Sequence, residues 1–258
     1  MFGKELSKGR ASFNGKTYYF LFGHAHMGNR VRAFHLRRVL KNLKAPKNIL
    51  DAGCGDGSYS FYLSRCYPDA NIMGVDMDHN LIEECNYIRE KTNRKNVKFE
   101  IQSLERFYKK NTFDFICCID VLQYIVEDAT ALVNLKNALK DGGALLIHVP
   151  ILNPKVWIHS ISLPIKKVGF VRNGYGVDKL KQTLERNGLN VLFSKKTFGF
   201  FGAVARDLSY QVDKLKYIRQ VLKLFFAPIF IFMAYLDSVI PVSAGQGILI
   251  CAEKLKRK

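Results

Sequence analysis

The run Ile49-Leu50-Asp51-Ala52-Gly53-Cys54-Gly55-Asp56-Gly57-Ser58 gathers the residues of this 258-residue chain whose types and spacing could do chemistry. An apolar strand leads straight into a glycine-rich turn and then a helix start. Glycines let backbone amides approach a ligand, and the first turn of a helix offers unpaired N–H groups. The pattern is D-x-G-x-G-x-G. It departs from the dinucleotide fingerprint G-x-G-x-x-G, because Ser58 stands where the third glycine would be, and no G-x-x-x-x-G-K-[ST] phosphate loop is present. Asp76 ends the next apolar run, where a carboxylate suits a bidentate grip on the two ribose hydroxyls of a nucleoside.

The elements that must position these residues alternate between short apolar strands and amphipathic helices, which predicts an α/β fold with a parallel sheet. Strands are expected at 48–52, 71–76, 97–102, 113–119, 144–149, 189–197 and 247–253. Helices are expected at 58–66, 80–92, 129–139 and 177–186. Asp141-Gly142-Gly143 reads as the glycine turn that closes the third of these helices. The continuous apolar run FDFICCI (113–119) predicts a strand buried on both faces. Three segments fall outside this rhythm. Residues 1–45 read as an N-terminal helical lid and 199–245 as a basic and apolar helical insertion; residues 151–176 are loop-rich. The core is then 46–198 together with 246–258.

On four stretches the chain resembles the class I S-adenosylmethionine-dependent methyltransferases: ILDAGCGDGSYS (49–60), NIMGVDMD (71–78), NTFDFICCIDVLQYIVED (111–128) and LKDGGALLIHVP (139–150). The resemblance implies a doubly wound, Rossmann-like, seven-stranded sheet with an antiparallel last strand and helical cap insertions. It implies S-adenosyl-L-methionine as cofactor and S-adenosyl-L-homocysteine as product. By the same resemblance Asp51, Gly53, Cys54 and Gly55 hold the methionine moiety and Asp76 holds the ribose. Met77 packs on adenine, Ser103 and Leu104 flank it, and Asp120 lies beside the reactive centre. Two departures stand out. Ser103 replaces the Asp that relatives place near the adenine amino group. Val121-Leu122-Gln123-Tyr124-Ile125 replaces the V-L-E-H-I of many relatives, so a Glu-His pair is missing.

Transfer to an oxygen needs a proton removed, and histidine is the usual agent near neutral pH. His148 ends the fifth strand, at the carboxyl edge where ligands sit in such sheets. His24 and His26 lie in YYFLFGHAHMGNR, a segment able to fold over the cofactor. His148, His24 and Tyr124 are the candidate catalytic side chains. His35 and His79 read as helix-surface residues, Arg30, Arg32, Arg37 and Arg38 as a solvated face, and Arg172 and Tyr175 as residues of the pocket mouth. No metal site is expected, since His24-x-His26 has no carboxylate or cysteine near it in sequence.

Composition narrows the acceptor. The formal charge is +18, and it is unevenly placed: residues 1–48 carry 11 basic and 1 acidic side chain, and 152–258 carry 18 and 6. Residues 49–151 carry 11 basic and 15 acidic. Basic flanks rich in aromatics suit an amphiphile with an apolar body and an anionic head. Leu224–Leu236, LFFAPIFIFMAYL, is uncharged but short of the roughly 20 residues that a spanning helix requires, and Pro228 interrupts it. It is expected either to be buried or to lie in an anionic membrane interface. The expectation is a small-molecule methyltransferase acting by in-line transfer, O-directed on a lipid-, polyketide- or isoprenoid-like acceptor. Nucleic acid is the less favoured partner, and oligomeric state is undetermined. The alternatives are an RNA methyltransferase or a catalytically silent cofactor-binding protein. Six cysteines without a C-x-x-C pair predict buried thiols in a reducing compartment. The chain's start lacks a signal-peptide pattern, which predicts a cytoplasmic location, peripheral on the inner face of a membrane.

Overall fold

Strands β1 (Asn48–Ala52) and β4 (Phe113–Ile119) are apolar on both faces because each is covered by helices on both sides. Alternate residues feed two separate cores. Ile49, Phe115 and Cys117 pack with Leu36, Phe61 and Leu146 on one face; Leu50, Ile116 and Cys118 pack with Leu132, Leu135 and Ile147 on the other. Burial of a side chain such as Phe61 or Phe115 contributes about 2–3 kcal/mol.

The computed structural model describes residues 1–159, 169–215 and 218–255. The remaining strands are β2 (Asn71–Asp76), β3 (Val97–Ile101), β5 (Leu139–Pro150), β6 (Leu189–Thr197) and β7 (Gly247–Lys254). They form one seven-stranded sheet of order β3-β2-β1-β4-β5-β7-β6. β7 runs antiparallel to both β5 and β6, and the other pairings are parallel. The doubly wound, Rossmann-like sheet with an antiparallel last strand is therefore present. The strand order reverses between the parallel neighbours β1 and β4, and that switch point creates the crevice where such sheets bind ligands.

Helices α1 (Phe13–Phe22), α2 (Met27–Leu40), α3 (Ser58–Cys66), α4 (His79–Lys91), α5 (Asp128–Ala138) and α6 (Val177–Arg186) are joined by α7 (Phe200–Lys214) and α8 (Arg219–Val239). One boundary differs from the sequence reading. α5 stops at Ala138, and Leu139 is already extended and paired with Phe113. Gly142, at φ +76°, lies within the strand run, beside a register shift between Phe113 and Phe115. The glycines thus make an irregularity in β5 rather than a helix cap.

The N-terminal segment is more than a lid. Leu36, Val39 and Leu40 of α2 sit in the core beside Ile49 and Ile72. Its other side meets the insertion, with Val31 against Phe198, Ala203 and Ala234, and Met27 against Ala205 and Phe230. α2, α7 and α8 therefore form one helical layer at the carboxyl edge of β4 and β5.

Candidate active site

The glycine turn has the geometry its sequence predicts. The N–H groups of Gly53 and Cys54 both donate to the Val75 carbonyl, at 2.8 and 2.9 Å, which locks β1 to β2. Gly53 needs its φ of +76° and lacks room for a Cβ, which would meet Val121 at 2.3 Å. Gly55, at φ +53°, faces open space instead: a Cβ there would touch nothing within 4 Å. Beside it, the buried Ser58 Oγ at the start of α3 has no hydrogen-bond partner among the described residues. An open glycine face, an unpaired buried hydroxyl and a helix N-terminus together fit the polar methionine end of a nucleoside cofactor.

Asp76 closes this cradle. Its Oδ2 accepts from Gly55 N–H at 2.8 Å and its Oδ1 from Asp78 N–H at 3.0 Å, so the carboxylate is oriented before any ligand arrives. Met77 is 68% exposed beside it, an apolar surface available for stacking.

Three residues assigned to the cofactor point elsewhere with their side chains. Asp51 is fully buried, accepting from Ser60 Oγ at 2.6 Å and Cys117 Sγ at 3.5 Å; burial pushes its pKa up to about 6 against those hydrogen bonds. Cys54 is buried in the core, where a hydrogen bond with Cys85 and burial push its thiol far up. Leu104 packs in the core, its carbonyl accepting from Asn134 Nδ2 at 3.0 Å. Cys54 and Leu104 can offer a ligand backbone atoms only, and Asp51 braces the turn from beneath. Ser103 is half-buried, and its Oγ accepts from Glu105 N–H at 3.2 Å.

At the carboxyl end of β4, Asp120 takes φ +57°, a left-handed conformation uncommon outside glycine. Its N–H donates to the His148 carbonyl at 2.8 Å. Its carboxylate is shared: Oδ1 contacts His148 Nδ1, and Oδ2 pairs with Arg32 Nη2. His148 Nε2 meets Thr197 Oγ1 at 2.8 Å. The carboxylate can only accept, so Nδ1 carries the proton and Nε2 accepts from the threonine hydroxyl. Burial lowers the His148 pKa against the pull of Asp120, so the ring is neutral near pH 7. His148 is 2% exposed with both nitrogens engaged, and it positions Asp120 rather than meeting an acceptor as a free base.

Beyond Asp120 lies a cavity of about 330 Å³. Asp120, His148, Arg32, Arg206, His26 and Phe198 are among its walls, while Gly53, Gly55 and Asp76 line no part of it. Two guanidinium groups stand against Phe198, Arg32 at 5.1 Å and Arg206 at 5.4 Å from its ring centroid. Two wall atoms are buried without a partner among the described residues: the donor Arg32 Nε and the acceptor Gln246 Oε1. Such atoms mark a site that a polar ligand completes.

Several sequence expectations are corrected here. Arg30 and Arg32 are not a solvated face: Arg30 is buried against the Phe22 and His24 carbonyls, and Arg32 reaches Asp120, while Arg37 and Arg38 stay exposed. His35 is buried, bonded to Asp237 Oδ2 at 3.0 Å, because α8 covers that face of α2. His24 is buried too; its Nδ1 accepts from His26 N–H at 3.0 Å and its Nε2 meets Asp56 Oδ2 at 2.9 Å. It fastens the N-terminal segment to the glycine turn and cannot reach an acceptor; His26 is the member of the pair on the cavity wall. Arg172 and Tyr175 bind Asp128, away from the cavity, and Phe170 lines it instead. Tyr124 is half-exposed, edge-on to Phe170 at 4.8 Å between ring centroids. Among the cysteines Cys66 is exposed rather than buried. Arg206 and Gln246 went unnoticed in the sequence because they lie on α7 and before β7, outside every motif.

The sheet and the glycine turn with its Asp76 define a nucleotide-type cofactor site, and residues 43–163 match a family profile described as "Methyltransferase domain". The chain is thus similar, over those residues, to S-adenosylmethionine-dependent methyltransferase domains. Among its relatives, "Phosphoethanolamine N-methyltransferase 1" of Triticum aestivum is 29% identical over 170 residues, which is 65% of this chain and 33% of that protein. "Malonyl-[acyl-carrier protein] O-methyltransferase" of Halalkalibacterium halodurans is 28% identical over 161 residues, 59% of this chain and 57% of that protein. The chain thus spans about a third of the length of the phosphoethanolamine enzymes it matches. Among solved structures, Haemonchus contortus phosphoethanolamine N-methyltransferase 2 in complex with S-adenosyl-L-methionine superposes with a TM-score of 0.63 at 12% identity, covering 96% of this chain and 61% of that one. The family's cofactor is S-adenosylmethionine, which the cradle of Gly55, Ser58 and Asp76 fits.

Proposed function

We propose that this protein methylates an amphiphilic small molecule whose polar, acidic head enters the cavity beyond Asp120, with an oxygen as the receiving atom. Bound S-adenosylmethionine supplies an electrophilic methyl group. The chain's own residues bind and align. Asp76 is set to hold the ribose hydroxyls, and backbone groups around Gly55 and Ser58 to hold the methionine end. Asp120, fixed by His148 and Arg32, forms the wall between that cradle and the cavity.

The observation that carries this reading is the cavity wall itself. Arg32 and Arg206 both stand against Phe198, and Arg32 Nε has donor capacity to spare. Guanidinium donors beside an aromatic face suit a carboxylate or phosphate joined to an apolar body. His26, a solvent-exposed residue of the cavity wall, supplies the base: the protein packed around it and the nearby His24 lower its pKa, leaving it neutral at pH 7 and able to take a hydroxyl proton. The relatives agree with an acidic acceptor, since phosphoethanolamine and malonyl-carrier protein both carry an anionic group. The RNA reading draws on net charge alone.

The test is methyl transfer from labelled S-adenosylmethionine to matched long-chain acceptors, acidic against neutral. Acidic acceptors should be preferred, and Arg206→Gln should raise their KM by about tenfold or more with cofactor affinity unchanged. Equal use of neutral acceptors, or an unchanged KM, would remove the acidic head from the proposal.

A further inference from the structure

α8 is a continuous helix of 21 residues that runs through Pro228, longer than its uncharged stretch suggested. By length and composition alone it could cross a membrane, with a mean hydropathy of 1.7 and only 28% of its most apolar window buried. The helix is longer than the thirteen uncharged residues that the sequence argument considered. Its exposure also speaks against burial: a helix packed into a soluble core hides its apolar side.

α8 has two apolar faces. One carries Ala227, Phe230 and Ala234 and packs on α2 and α7. The opposite one exposes Val221, Phe225, Ile229, Phe232 and Val239, with Phe225 71% and Phe232 59% exposed. These positions recur at helical spacing and form a single stripe. α1, which touches α8, also exposes Phe13 and Phe20 to solvent.

Charge identifies what covers the stripe. Arg219 stands in the first turn of α8 and Lys214 ends α7, whereas Lys223 is held by Asp213. The nearby acids are already engaged: Asp213 pairs with Lys223, and Asp207 with Arg206. In α8 itself the one carboxylate, Asp237, is buried. An apolar stripe with basic residues at one end fits a bilayer surface bearing anionic lipid.

Asp237 also decides how the helix meets that surface. It accepts from Phe198 N–H at 3.0 Å and Gly202 N–H at 3.1 Å, and contacts His35 Nε2. To span a bilayer, α8 would have to break these bonds and carry the carboxylate into hydrocarbon. We infer that α8 lies flat in the headgroup region of an anionic membrane while it stays docked on α2 and α7. Met27 and Phe198, which line the cavity, pack against the inner face of α8. Resting on the reading of the cavity as the acceptor site, this makes the acceptor an amphiphile drawn from the bilayer.

Sedimentation with vesicles of phosphatidylcholine, with and without phosphatidylglycerol, tests the docking. The intact protein should pellet with the anionic vesicles, and Phe225→Glu/Phe232→Glu should weaken that partitioning by at least about tenfold. Calorimetric binding of S-adenosylmethionine by the variant would show that its fold survives. If it does not fold, Phe225→Trp serves: its emission should shift to the blue with anionic vesicles. Protein that stays in the supernatant with both vesicle types would overturn the inference. So would a dimer, seen by light scattering, that the double substitution dissolves, because the stripe would then cover a second copy. Vesicle binding without cofactor binding would sink the methyltransferase reading and leave the docking standing.

Discussion

The ion pair between Arg32 of α2 and Asp120 at the end of β4 joins the helical cap to the ligand-binding edge of the sheet. Because His148 holds the other carboxylate oxygen, a residue in an unfavourable backbone conformation is clamped from both sides. The cap is therefore part of the active site rather than an ornament upon it.

Substitution at Asp120 should separate charge from conformation. Asn tolerates a left-handed φ, so Asp120→Asn keeps the turn and loses the ion pair. It should destabilise the fold by about 1–3 kcal/mol, because Arg32 is left without its anion. Thermal denaturation checks this. Asp120→Ala should be worse, since it adds backbone strain to the same loss.

His26→Gln should lower kcat by about a hundredfold for a hydroxyl acceptor and flatten the acidic limb of the pH–rate profile. Cofactor affinity should not move, because His26 lies on the cavity wall and not in the glycine turn. An unchanged profile would transfer the base role to another group.

The two left-handed glycines should respond in opposite ways. Gly53→Ala drives a Cβ into Val121 and should cost several kcal/mol of stability. Gly55→Ala meets open space, so it should cost only about 1–2 kcal/mol from its φ. It should nevertheless weaken cofactor binding by at least about tenfold, because the methyl occupies the ligand's approach. Melting curves beside calorimetric titration distinguish the two.

Acid should destabilise the protein before carboxylates begin to titrate. Burial lowers the pKa values of His26, His35 and His148 below the unfolded value of 6.5, so the folded state binds fewer protons. Stability present at pH 7.5 is lost as pH falls through 6.5 toward the folded values. Asp51, raised to about 6, works the other way, but its relief begins only near that pH. The melting temperature should therefore drop by about 2–6 °C between pH 7.5 and 6.2. A flat or rising curve would contradict the assignment of these histidines as neutral in the folded protein.

Much of this was legible in the sequence because local pattern and topology agree. The strand–glycine–helix run at 49–66 and the apolar runs at 71–76 and 113–119 fall where the strands and helix stand, and Asp76 is at the turn. What the sequence hid depends on packing between distant segments. Nothing near Arg32 or His35 announces that α7 and α8 will cover α2, so both read as surface residues. The uncharged run at 224–236 marked α8 as apolar, yet only its docking through Asp237 tells the buried face from the exposed one. His24 and His26 are two residues apart, and the fold alone decides which of them reaches the cavity.

The most direct test of the central claim is calorimetric titration of S-adenosylmethionine and S-adenosylhomocysteine into the intact protein beside Asp76→Ala. The account predicts binding at about micromolar Kd by the intact chain. It also predicts at least about a tenfold loss in the variant, whose ribose grip and Gly55 hydrogen bond are both removed. Absence of binding by the folded, intact protein, or equal affinity in the variant, would contradict it.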